Sequence, residues 1–122
     1  MTKIVDVTLG QPGGSPTREG WLILNYSAPD GGRTQVGAPI IARDGVFPTW
    51  NDVAALLLNN LGRNEWPKFI TGKLSRDGNA VRLSIPDDVD DVVFSAEFNP
   101  TVDQTGATEA SPDFVTIAEE TF

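Results

Sequence analysis

Asp87-Asp88-Val89-Asp90-Asp91 places four carboxylates within five residues, the densest cluster of chemistry-bearing side chains in the sequence. Carboxylates at this spacing suit a hard cation such as Ca2+, which takes about six to eight oxygen ligands. The EF-hand pattern is not met, because no glycine stands at the sixth position and no glutamate at the twelfth. Asp87, Asp88, Asp90 and Asp91 are thus Ca2+ candidates, set against a simpler reading as a solvated turn whose charges guard a sheet edge.

Other site chemistry is narrowed by what the chain lacks. It contains no histidine and no cysteine, which excludes Cys/His zinc fingers, Ser-His-Asp triads, haem-ligating histidine and iron–sulfur clusters. Gly72-Lys73 is followed by Leu74 rather than Ser or Thr, and Pro67 stands where the first glycine of a phosphate loop belongs. The Gly10–Gly14 stretch does not match the dinucleotide-binding fingerprint and leads into no helix. Glu19, Glu65 and Glu97 could serve as acid and base, yet nothing in the sequence pairs them. No G-x-S-x-G nucleophile elbow is present. The expectation is a protein that is not an enzyme and uses no cofactor.

Aromatic residues could instead supply anchors for a protein or sugar partner. Trp21 lies in an apolar strand pattern and Trp50 on a helical stripe, so both are expected in the core. Trp66, between Glu65 and Pro67, is the surface candidate.

The chain has 122 residues and a net charge of −8, and the charge is localised. Through Arg82 there are 9 basic and 7 acidic residues; from Leu83 onward there are 10 acidic and no basic ones. The segment 87–122 is therefore the expected partner-directed part. The absence of a basic cluster argues against nucleic-acid binding. No apolar run approaches the roughly 20 residues of a membrane span, and residues 1–20 hold no signal-peptide core. The expected location is a virion if the protein is phage-derived, and otherwise the cytoplasm.

The elements that must position these groups are mostly strands. Ile4–Leu9 alternates, Gly20–Ala28 is apolar on both faces and reads as central, and Thr34–Ala42 carries Pro39, which suits an edge. Thr49 and Asp52 form a capping-box pair ahead of an apolar stripe: Trp50, Val53, Ala54, Leu57, Leu58 and Leu61. That predicts an amphipathic helix at about 49–61, closed by Gly62 as a left-handed C-cap, with Asn51, Asn59 and Asn60 facing solvent. Asp77-Gly78 predicts a two-residue type I′ hairpin that sets Leu74 opposite Val81 and Gly72 opposite Leu83. Asp91–Phe98 and Phe114–Ala118 complete the set. The fold class is α+β, mainly antiparallel β, with six or seven strands in a sandwich- or barrel-like arrangement and one helix. A single domain spans 1–122, with flexible connectors at about 10–19 and 99–113.

Strands at both ends, tethered by long connectors, could leave their own sheet and pair with a neighbour, set against the simpler reading that both complete their own sheet. The polar Thr/Gly/Asp/Pro-rich connectors, the lack of His and Cys, and the Thr49–Gly62 helix ahead of the Ile70–Ile85 hairpin resemble small accessory proteins of tailed-bacteriophage virions. Capsid decoration (cement) proteins and tail or connector adaptors have this style. The resemblance covers the composition of the whole chain and transfers no functional residue. It implies a structural protein that binds a capsid or tail lattice through flexible termini, as a homo-oligomer and commonly a trimer. The partners expected are proteins, with no nucleic acid and no membrane. The partner-binding candidates are Trp66, Phe114, Val115, Ile117, Glu119 and Glu120. The alternatives are an acidic, DNA-mimicking inhibitor of a basic partner, and a Ca2+- or carbohydrate-binding β module.

Overall fold

Val5, Val7 and Leu9 alternate with polar neighbours, and in the computed structural model they form the buried face of strand β1, Thr2–Leu9. The structure describes residues 2–27, 33–63, 70–86, 93–101, 103, 105–110 and 112–121. The same two-residue period builds β2 (Gly20–Ser27), β3 (Arg33–Ile40), β4 (Thr71–Leu74), β5 (Ala80–Pro86), β6 (Val93–Asn99) and β8 (Val115–Thr121). The two-residue β7 (Glu109–Ala110) falls inside the stretch expected to be a connector, which brings the described strands to eight. They form two four-stranded antiparallel sheets, ordered β4-β5-β1-β8 and β3-β2-β6-β7. Pro39 does lie in an edge strand, where its missing amide costs no ladder bond.

Helix α1 (Trp50–Arg63) is set by its own ends and its stripe. Thr49 Oγ1 accepts the Asp52 amide at 3.1 Å, and Asp52 Oδ2 accepts the Thr49 amide at 3.2 Å, a reciprocal cap. The helix runs through Gly62 to Arg63, so Gly62 is not the residue beyond its end. Trp50, Val53, Ala54, Leu57 and Leu61 are buried, and Leu58 packs against them. The helix contacts β3 of one sheet and β4 and β5 of the other. It thus bridges one open side of the sandwich. One buried cluster joins the helix to Leu22, Leu24 and Tyr26 of β2, to Phe94 and Phe98 of β6, and to Val81, Leu83 and Ile85 of β5. Trp21 departs from expectation: it points to the other face of its sheet, is half-buried, and lies over Gly37.

The β4–β5 register is the expected one, with Leu74 facing Val81 and Gly72 facing Leu83. Its turn differs. The Gly78 amide donates to Ser75 O at 3.0 Å, Ser75 N donates to Ala80 O at 2.9 Å, and Gly78 alone takes a positive φ, 79°. A four-residue loop therefore replaces the two-residue one without shifting the register. The tight two-residue turn occurs at Asp44-Gly45 instead, where both residues have positive φ (53° and 77°) between the mutually bonded Arg43 and Val46.

Asparagine amides fasten the loops to this frame. Asn79 is buried and donates to Leu9 O at 3.1 Å and Gly10 O at 3.0 Å. Asn51 accepts from the Gly13 amide and donates to Asp77 O, tying segment 10–19 to the hairpin turn. Asn60 donates to Gly37 O at 2.8 Å. Two of the three helix asparagines expected in solvent thus hold other elements. Asn79→Ala should destabilise the protein by about 1–3 kcal/mol, because two carbonyls at the end of β1 lose their donor. The exposed Asn59→Ala should stay within about 0.5 kcal/mol of wild type. Urea unfolding of the two variants measures the contrast.

Candidate interaction site

Phe114 is the hinge between the 99–113 segment and β8, and its ring is packed inward. It stacks on Trp50 with centroids 4.9 Å apart and meets Phe98 edge-on at 5.2 Å. Its carbonyl accepts the Gly10 amide at 2.9 Å. From there β8 runs antiparallel to β1, from Leu9 opposite Val115 to Lys3 opposite Thr121. Val115 and Ile117 share the inward face with Val7 and Leu9 and pack against the core. Glu119 is exposed and receives Lys3 Nζ at 3.3 Å. Glu120 lies on the outward face with Thr116 and Ala118 and is exposed. The residues expected to face a partner are therefore divided. Phe114, Val115 and Ile117 support the protein's own core, while Glu119 and Glu120 face solvent. Trp66 and the carboxylates Asp87, Asp88, Asp90 and Asp91 lie outside the described residues. Among the described residues no group of three or more acidic side chains is arranged to hold a metal ion.

On its other side β8 has no neighbouring strand among the described residues. Its alternate backbone donors and acceptors face outward, as an edge strand's must. The opposite edge of the same sheet is β4, whose four residues are all exposed. Between them, Arg82 of β5 makes a two-pronged ion pair with Asp6 of β1, at 2.8 and 3.0 Å. The Asp6 hydrogen bond is the main reason the Arg82 guanidinium is held above its usual pKa.

At the root of β8 a cleft opens between segments 15–18 and 109–114. An inner pocket of about 120 Å³ is walled by Ile40, Trp50, Phe98 and Phe114. An outer, more polar one of about 440 Å³ includes Thr17, Glu109, Pro112 and Asp113. Arg18 borders both. Its guanidinium sits 4.8 Å from the Phe98 ring centroid and holds Glu109 through two bonds, at 2.7 and 3.2 Å. Sequence reading missed this latch, since its partners are 91 residues apart. The one available hint was that Arg18 is the only cation between Lys3 and Arg33. Glu19, considered above as an acid or base, accepts the Ala42 amide at 3.0 Å. Segment 10–19 is thereby bonded to the strap after β3 and, through Arg18, to β7. In segment 99–113, Asn99 Nδ2 donates to Gly106 O and Thr108 Oγ1, and its Oδ1 accepts from Thr101.

No helix among the described residues is long and apolar enough to cross a membrane. The described residues thus present an unpaired sheet edge, a cleft bordered by the Arg18–Glu109 ion pair, and apolar side chains exposed at Val46 and Ile41.

The latch has a pH signature. Its hydrogen bonds to Arg18 hold the Glu109 carboxyl below its ordinary value of 4.5. A depressed folded-state pKa means that the stabilisation is complete above the unfolded-state value and is lost as pH falls through the lower folded-state value. Glu109→Gln should therefore lower the melting temperature slightly at neutral pH, and the difference from wild type should shrink at an acid pH below the ordinary carboxylate value of 4.5. Thermal melts at the two pH values check this. Searches against protein-family models, curated proteins and solved structures return no match to this chain.

Proposed function

We propose that this protein is a non-catalytic structural protein that assembles with copies of itself or with a larger particle, in the manner of a phage capsid decoration or tail accessory protein. The docking element is the outward edge of β8. The observation that supports this is a seven-residue edge strand with no proline or glycine, paired on one side only among the described residues. Protected edges in natural sheets are short, broken by proline or a bulge, or covered. Among the described residues β8 has none of these devices; its protection is the charge of Glu119 and Glu120 near its end. An incoming strand would gain main-chain hydrogen bonds from the edge and side-chain contacts from alternate positions.

The rigid body behind the strand supports the same reading. β8 is anchored at Phe114 and along β1, so docking orders little additional chain and costs little entropy. The partner surface is then an edge of the folded body rather than a loose arm.

The acidic-inhibitor alternative gains less support. Two of the acids it would use, Glu109 and Glu119, already have cationic partners in Arg18 and Lys3. Binding through a strand edge should persist at high salt, whereas a charge mimic should release.

Proline at neighbouring positions of β8 tests the edge. Successive amides of a strand point to opposite edges. Of Ala118→Pro and Glu119→Pro, one removes an outward amide and the other an amide directed at β1. Thermal melts identify which is which. The variant with near-native stability should lose association in sedimentation velocity, alone or with candidate phage particles. If that variant sediments and binds as wild type does, β8 is not the docking edge.

A further inference from the structure

The two edges of the first sheet fit each other, and we infer that the partner of β8 is β4 of a second copy of this chain. The inference rests on β8 being the docking edge. It adds what meets that edge, and how.

Direction comes first. Every neighbouring pair in the β4-β5-β1-β8 sheet is antiparallel. Four strands in alternation leave β4 and β8 running in opposite directions. A second copy placed beside the first by simple displacement, with no flip, therefore brings its β4 antiparallel to β8. The joined sheet stays antiparallel throughout.

Faces come next. In β8 the odd-numbered residues Val115, Ile117 and Glu119 lie on the inward face, opposite Leu9, Val7 and Val5. In β4 the even-numbered Gly72 and Leu74 lie inward, opposite Leu83 and Val81. An antiparallel register with Leu74 beside Ile117 keeps both inward faces together. It also sets Lys73 opposite Ala118 and diagonal to Glu120, within reach of a long side chain. Leu74 is 38% exposed in the isolated chain, and this contact would cover it.

Charge settles the orientation. The β4 edge carries Lys73 and the β8 edge carries Glu120; their neighbours Arg82 and Glu119 are already held within the chain, by Asp6 and Lys3. Lys73 and Glu120 make no ion pair with a described residue. β8 against β8 would bring two acidic edges together, and β4 against β4 two basic ones. The mixed contact alone is complementary, so like edges repel and unlike edges attract. Such a contact is heterologous: each copy keeps one edge free, and growth gives a series of species rather than a closed dimer.

A charge swap tests this. Sedimentation velocity over a range of concentrations should show wild type forming a ladder of oligomers. Lys73→Glu alone and Glu120→Lys alone should each weaken association by about tenfold. Mixing the two single variants should restore it, because every contact in an alternating chain is then complementary. The double variant should also associate. Both substitutions lie at exposed positions, and thermal melts confirm folding. Unchanged association in either single variant, or no recovery on mixing, overturns the inference. A wild-type protein that stays monomeric at all concentrations yet binds phage particles also overturns it, while leaving β8 as the docking edge for another partner.

Discussion

The indole of Trp50 occupies space that a glycine at position 10 leaves open, and much of the structure meets at that contact. A methyl group on Gly10 would overlap the indole Nε1 and Cδ1. The Trp50 amide is bonded to Gly14 O at 2.8 Å, and its ring stacks on Phe114. The first turn of the helix, the end of β1, the 10–19 segment and the root of β8 therefore share one junction. Gly10 also donates its amide to Phe114 O, and its carbonyl accepts from Asn79 Nδ2. Stacking buries Trp50 and partly covers the Phe114 ring. Losing an anchor of this kind typically costs about 3–5 kcal/mol, a large share of the roughly 5–15 kcal/mol that keeps a small domain folded.

That junction changes how the chain's ends are understood. Glycine- and proline-rich segments read as tethers when only composition is considered. Here residues 10–19 wrap the start of the helix and carry Arg18 across to Glu109. Asn99 organises the segment that follows β6, and Phe114 ends it packed against the core. The terminal strands β1 and β8 are paired with each other, so they brace one sheet together. The outward edge of β8 is therefore already built and extended in the folded chain.

Legibility in the sequence followed the range of the interactions. The helix was readable because its cap and stripe are local: Thr49 with Asp52, and Trp50 through Leu61. The β4–β5 register was readable because the alternation of Leu74, Val81 and Leu83 permits little else. The turn was misread for a tertiary reason. Asn79 is drawn to the carbonyls of Leu9 and Gly10, and Asn51 holds Asp77 O, so the loop opens to four residues. Asp44-Gly45, free of such demands, takes the tight form. The order of strands in each sheet and the Arg18 latch depend on partners far apart in sequence. Nothing local encodes them. Among the partner candidates, Phe114, Val115 and Ile117 were identified by apolar character, which marks a core strand and a docking strand alike.

The central claim is that β8 is a permanent strand whose outward edge does the docking, and residue-resolved amide exchange along Val115–Glu120 tests it most directly. In the dilute, isolated protein, amides directed at β1 should exchange slowly and the alternate ones quickly. In the assembled state the alternate amides should become slow as well. Fast exchange along all of β8 in the dilute protein would mean a detachable arm and would contradict the account. So would outward amides that remain fast after assembly.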